Sequence, residues 1–225
     1  MSIGKDAPLF CKECAAEWAR ELSLQCPQCF AAYPECRCQP SVLERAGSKA
    51  LLKLAPYCED GRARVVRTLV LDMKKHPRRR VSEFLASELE IGLLAALEKE
   101  ECAITGAVLT HIPRDKRKRR RYGTDQSEVL AKALSTRTGI PHLPLLRRVK
   151  RTKTQKKLSA KRRMVNLAGA FEVGEVPTDK LVILVDDVVT TGATTSVAAS
   201  LLRAAGAKHL IVLCVAKTEK KTGNV

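Results

Sequence analysis

The chain has 225 residues, with 41 Lys and Arg against 24 Asp and Glu, a formal charge of +17, and 45% hydrophobic residues. That is enough apolar side chain to bury a core, which excludes disorder as the main state, and enough length for one α/β domain with a small satellite. The longest apolar runs, Leu181 to Val185 and Leu210 to Ala216, fall far short of a membrane span, and MSIGKDAPLF holds no apolar signal core, so a cytoplasmic protein without membrane contact is expected.

The charge is not spread evenly. Residues 1–60 carry a net −1, 61–110 a net +2, 111–163 a net +16 and 164–225 none. Solubility needs no such clustering, so an anionic partner is implied: nucleic acid, a phosphorylated small molecule or pyrophosphate.

In chain order, residues 1–40 form a Cys-rich module closed by CRCQPS, and residues 41–225 a second, larger domain. Six of the nine cysteines lie before residue 39, and CxxC pairs at this density in a reducing compartment read as metal ligands rather than disulfides. Cys11-x2-Cys14, eleven residues, then Cys26-x2-Cys29 has the spacing of a structural four-cysteine zinc site, with Pro27 tightening the second knuckle. A module this small folds only with its metal. Cys36 and Cys38, spaced C-x-C, are either spare or replace one of the four.

Ser48–Tyr57 reads as a strand. Gly61–Lys75 and about Arg80–Glu101 read as helices from apolar residues at helical spacing, and Ala107–Ile112 as a buried strand. Pro113–Gly123, with seven basic residues among the eight from Arg114 to Arg121, is expected to be a loop. A helix from about Asp125 to Thr138 follows, ended by Gly139 and Pro141. A second basic stretch, Arg147–Arg163, lacks apolar periodicity and reads as a mobile loop able to close over a ligand. Then come a strand from Lys180 to Val185, a helix from Thr194 to Ala205 and a strand from His209 to Val215. This alternation predicts a parallel sheet. His76 and His111 could in principle be ligands, but, isolated in sequence, they read as ordinary histidines.

The most specific motif is LVILVDDVVTTGATT, an apolar strand running into Asp186 and Asp187 and then, after Val188 and Val189, into a Thr- and Gly-rich turn that opens a helix. In an open parallel sheet ligands sit beyond the carboxyl ends of the strands, where this turn lies. Thr190, Thr191 and Thr194 supply hydroxyls, Gly192 lets the backbone approach closely, and the free N–H groups of the helix start favour an anion. The carboxylates can accept hydrogen bonds from vicinal ribose hydroxyls or help to hold Mg2+. An ordinary strand-to-helix turn accounts for the threonines but not for two adjacent carboxylates at a buried strand end.

This motif resembles the signature loop of the type I phosphoribosyltransferases. The resemblance implies a type I phosphoribosyltransferase-like α/β fold, with Asp186 and Asp187 on the ribose hydroxyls of phosphoribosyl pyrophosphate (PRPP) and the stretch Thr190, Thr191, Gly192, Ala193, Thr194 on its 5′-phosphate. Two more stretches are similar to the ComF competence family. Ile112–Ala131 matches its basic loop followed by RGFNQ, of which YGTDQ here keeps Gly123 and Gln126, with Arg121 one place early. Thr154–Phe171 matches a pattern through Gln155, Leu158, Arg163, Asn166, Ala170 and Phe171, and Cys36 and Cys38 resemble a further pair in many ComF relatives.

Lys116, Arg117 and Arg121, with Gly123 and Gln126, would then meet pyrophosphate or nucleic acid, aided by Mg2+. Gln155, Arg163 and Asn166 would form the lid. The resemblance also implies handling of single-stranded DNA during competence, with a competence helicase as a partner of the zinc module. Two alternatives stay open: a working phosphoribosyltransferase, a glycosyltransferase releasing pyrophosphate from PRPP, and a PRPP-sensing RNA-binding regulator. With only 4% aromatic residues, and Tyr122 alone in the basic region, a stacking platform for bases is thinly supplied.

Overall fold

A computed structural model describes residues 9–75, 79–149 and 169–219. Helix α1 (Lys12–Leu22) lies in the Cys-rich segment, and α2 (Ser41–Arg45) follows it. Next come β1 (Leu51–Leu52), β2 (Ala55–Tyr57), α3 (Arg64–Lys75), α4 (Arg79–Lys99), β3 (Ala107–His111), α5 (Lys116–Tyr122) and α6 (Gln126–Thr138). The chain continues through β4 (Leu146–Arg148), β5 (Phe171–Val173), β6 (Leu181–Val189), α7 (Ala193–Ala204) and β7 (His209–Thr218).

The expected parallel sheet is present. Its order is β3-β6-β7, with both β1 and β2 pairing to the outer edge of β7, and every pair is parallel. Alternation along the central strand assigns each side chain to a face. Leu181, Ile183 and Val185 point with Leu109 and Ile211 into a core closed by α3, α4 and α6. Val182 and Leu184 point with Val108 and Val212 into a second core closed by α2 and α7. Because β3, β6 and β7 run the same way, their carboxyl ends, and the loops leading into α5 and α7, share one edge.

Three expectations change. The strand expected over Ser48–Tyr57 is two short ones, broken at Lys53, whose ammonium turns inward to the carbonyls of Cys36 (3.1 Å), Cys38 (2.9 Å) and Leu51 (3.2 Å). The first basic stretch is a helix, α5. Asp115 caps it by accepting from the Arg117 amide (3.1 Å), Gly123 ends it at φ +76°, and Lys and Arg are good helix formers. Of the second basic stretch, Arg147 and Arg148 lie in β4, which pairs antiparallel with β5, while residues 150–168 lie outside the described residues. No helix among the described residues is long and apolar enough to cross a membrane.

Besides Lys53, several side chains pin the Cys-rich segment to the sheet domain. Trp18 stacks among Phe10 and Phe84 and donates its indole N–H to Glu88 (3.1 Å). The phenol of Tyr33 bonds Glu219, just past β7, which also holds Arg62 (2.7 Å). Glu21, fully buried, accepts the amides of Val65 (2.7 Å) and Val66 (2.8 Å) in the first turn of α3. Its carboxylate therefore caps a helix 44 residues away in sequence. Glu21→Ala strands two buried amides at a positive helix end and should cost about 2–3 kcal/mol. At this chain length that lowers the melting temperature by roughly 5–10 °C, which a thermal unfolding curve reads directly.

Candidate functional site

Strand β6 stays buried from Leu181 to Val185 and then continues as strand through the two acids to Val189, so Asp186 and Asp187 hold their places by sheet pairing rather than on a loop. Asp186 faces Ser127 (3.4 Å) and Thr195 (3.3 Å). Asp187, 8% exposed, accepts Gln126 Nε2 (2.9 Å) and the Val188 amide (2.8 Å), and Lys74 from α3 pairs with it at 3.2 Å.

The two carboxyls are driven apart in acidity. Burial, reinforced by the charge on Asp187, pushes Asp186 well above the usual carboxylate range. Burial opposes ionisation of Asp187 too, but Lys74, Gln126 and the Val188 amide outweigh it and hold Asp187 below that range. The two carboxyls thus differ in how readily they ionise, and their oxygens lie side by side at the strand end, where vicinal hydroxyls can meet them.

Beyond the acids, Thr190 and Thr191 are exposed and Gly192 turns the chain into α7 at φ +78°. A Cβ at Gly192 would lie 3.1 Å from Val42 Cγ2 and 3.4 Å from Pro40 Cγ, so both backbone shape and the packing of α2 demand glycine there. Thr191 Oγ1 accepts weakly from the Ala193 amide (3.4 Å), and the first-turn N–H groups of this 12-residue helix open toward the turn.

Of the residues expected to meet pyrophosphate or nucleic acid, Gln126 reaches the acid pair. Lys116 and Gly123 line a shallow depression of about 400 Å3 with Arg119 and Arg120. Arg117 is exposed, and Arg121 lies over the Tyr122 ring at 5.4 Å. Gln155, Arg163 and Asn166 lie outside the described residues. Lys74, Ser127 and Thr195 have no place in the sequence reading. Thr195 is legible as the next hydroxyl of the same motif; Lys74, one lysine of several near the end of α3, carries no signal.

The structure groups the cysteines differently from the expected metal set. The sulfurs of Cys26, Cys29, Cys36 and Cys38 lie within 4.8 Å of one another, with Cys29 and Cys36 at 3.5 Å. Cys11 and Cys14 are not among them. They occupy the start of α1, where the Cys14 amide donates to Cys11 Sγ (3.4 Å), and Trp18 and Glu21 commit that helix to α3 and α4. The second knuckle instead folds back on itself: Cys26 N–H bonds Ala31 O (2.9 Å), Phe30 N–H bonds Cys26 O (2.8 Å), and Lys53 gathers the carbonyls of Cys36 and Cys38. Burial first, and then its sulfur neighbours, push Cys38 up to about 12. Four sulfurs so placed could hold a thiophilic ion such as zinc, whose bonds of about 2.3 Å suit a tetrahedron of this size.

Residues 124–225 match a family described as the phosphoribosyl transferase domain, a span that begins just before α6 and contains the acid pair and the glycine turn. The chain is 31% identical over 212 residues to the DNA utilization protein YhgH of Salmonella typhimurium, covering 92% of this chain and 90% of that protein. It is 28% identical over the same length to YhgH of Escherichia coli K12, with the same coverage. Over a shorter span, 101 residues and 43% of this chain, it is 40% identical to Competence protein F of Haemophilus influenzae, covering 44% of that protein. Likeness along nearly the whole chain, joined to a parallel α/β fold that ends its central strand in this acid pair and to a phosphoribosyl transferase domain match over residues 124–225, makes the protein a member of the ComF competence family.

Proposed function

We propose that the protein binds PRPP with Mg2+ at the carboxyl end of β6 and uses that site in the handling of single-stranded DNA during DNA uptake. The observation that carries this reading is the adjacent acid pair, Asp186 and Asp187, held at the end of β6 by Ser127, Thr195, Gln126 and Lys74, just ahead of the α7 N-terminus. The two carboxyls take the ribose hydroxyls; Thr190 to Thr194 and the α7 amides take the 5′-phosphate. Mg2+ neutralises the pyrophosphate oxygens when it is bound. Lys74, already on Asp187, and the cations of α5 are the protein's own counter-charges for the same group. Relatives named for DNA utilization and competence support the DNA role. The cysteine cluster serves as a structural zinc site that closes the first 40 residues.

Calorimetric titration of PRPP and Mg2+, with and without single-stranded DNA, tests the central reading. Binding should weaken roughly 10- to 100-fold in Asp187→Asn, the loss expected when a charged partner of buried hydroxyl contacts is neutralised. DNA should shift PRPP affinity and PRPP should shift DNA affinity by the same factor. Absence of PRPP binding would sink the proposal, and steady pyrophosphate release without DNA would assign a transferase instead.

For the DNA surface, Lys116→Ala, Arg117→Ala and Arg120→Ala together should weaken single-strand binding at every sequence. The salt dependence of affinity should also flatten, by about 0.7 in log–log slope for each phosphate that is no longer neutralised. An unchanged slope would exclude α5 as the DNA-binding element.

For the metal, Cys29→Ser with Cys36→Ser should abolish the one zinc ion per chain measured by dye after thiol modification. Cys11→Ser with Cys14→Ser should keep it. The reverse pattern would restore the ligand set that sequence spacing suggests.

A further inference from the structure

Where β3 ends, His111 lies in register with Val185 and on the same face of the sheet as Leu109, toward α6. Its imidazole is 5% exposed and stands beside two acids at the start of α6, Asp125 and Glu128. The donor atoms of the three lie within 4.8 Å of one another. Asp125 is 3% exposed; one oxygen accepts the Arg114 amide (2.5 Å), while Oδ1 is buried and makes no hydrogen bond of ordinary geometry. A buried carboxylate oxygen short of partners is costly; the Glu128 backbone amide favours its charged form, and the other possible ligand atoms surround it. His142 forms a short parallel bridge with Leu109 along the outer edge of β3, and its Nε2 lies 3.0 Å from His111 Nδ1. If Nδ1 carries the proton, that contact fixes the His111 tautomer and leaves Nε2 with a free lone pair, the arrangement by which a neighbouring group orients a ligating histidine.

We propose that His111, Asp125 and Glu128 form a binding site for a divalent first-row transition ion, with His142 as the residue that positions His111. One imidazole nitrogen and two carboxylates suit Mn2+, Fe2+ or Zn2+ better than Mg2+ or Ca2+, which take oxygen ligands. Bonds of about 2.1 Å are reached from the present separations by small side-chain shifts. The positive surroundings do not forbid it. Glu128 is held by Lys132 (2.7 Å) and Arg119 (3.5 Å), but these cations are 61% and 60% exposed, and such exposed pairs contribute little. Either can swing into solvent as the ion enters.

The site is separate from the acid pair but shares an element with it. Asp125 and Glu128 face His111, whereas Gln126 and Ser127, between them in sequence, contact Asp187 and Asp186. An ion there would staple the end of β3 to the turn that supplies those two contacts. Its binding does not require PRPP. Asp125 stands where the ComF segment RGFNQ has Asn, so this chain carries an acid at a ligand position where the family pattern has an amide.

Mn2+ is titrated into the full chain without PRPP, and free ion is counted by its electron paramagnetic resonance lines. One equivalent should bind. Asp125→Asn, which restores the family amide, should lower affinity at least 100-fold, and His142→Ala by roughly 10- to 100-fold. Asp187→Asn should leave it unchanged. Thermal unfolding of each metal-free variant checks the fold, and Glu128→Gln, at a half-buried position, repeats the Asp125 test with less risk to the core. No bound Mn2+, or a loss that follows Asp187→Asn and spares Asp125→Asn and Glu128→Gln, overturns the proposal.

Discussion

Two adjacent carboxylates at the buried end of a central strand are the constraint around which this molecule is arranged. Neither can be charged in isolation there, and both charged together would repel. The fold answers by bringing partners from each neighbouring element: Lys74 from α3, Gln126 and Ser127 from α6, Thr195 from α7. These elements are far apart in sequence and meet only because three parallel strands deliver their carboxyl ends to one edge. The position of the charge on that edge follows from the same geometry, since α5 leaves β3 there.

The cysteine segment rests on a different logic. Beside the packing of Trp18, Phe10 and Leu22 on the main core, it is held by polar pins: Glu21 capping α3, Tyr33 on Glu219, and Lys53 beneath the carbonyls of Cys36 and Cys38. Each pin buries a polar or charged group with its partners supplied, which is the condition under which such burial is tolerable. Lys53 also explains why the edge strand is interrupted.

How far the sequence discloses this varies with the physics involved. Strand β6 and its turn are plain, because a run of Leu, Val and Ile that leads into Asp-Asp and then a Thr-Thr-Gly-Ala-Thr turn admits few other readings. Helices α3, α4 and α6 follow from apolar spacing. Helix α5 reads as a loop while only the mutual repulsion of its cations is weighed; the cap at Asp115, the stop at Gly123, the Tyr122 ring under Arg121 and Glu128 beside Arg119 reverse that balance. The cysteines mislead for another reason. Two C-x-x-C pairs are symmetrical in sequence, and what separates them is that α1 carries Trp18 and Glu21 to the sheet domain, a tertiary fact without a local signature. His111 and His142, 31 residues apart, meet through an edge bridge that no spacing predicts.

The turn glycine before α7 has its own consequence. Gly192 is backed by Pro40, Val42 and Leu43, the segment that joins the cysteine module to the rest of the chain. The turn is therefore braced from behind by the linker rather than by its own helix. Its stiffness is on loan from the neighbouring module: whatever loosens residues 40–43 adds conformational freedom to the turn and subtracts preorganisation from anything the turn grips.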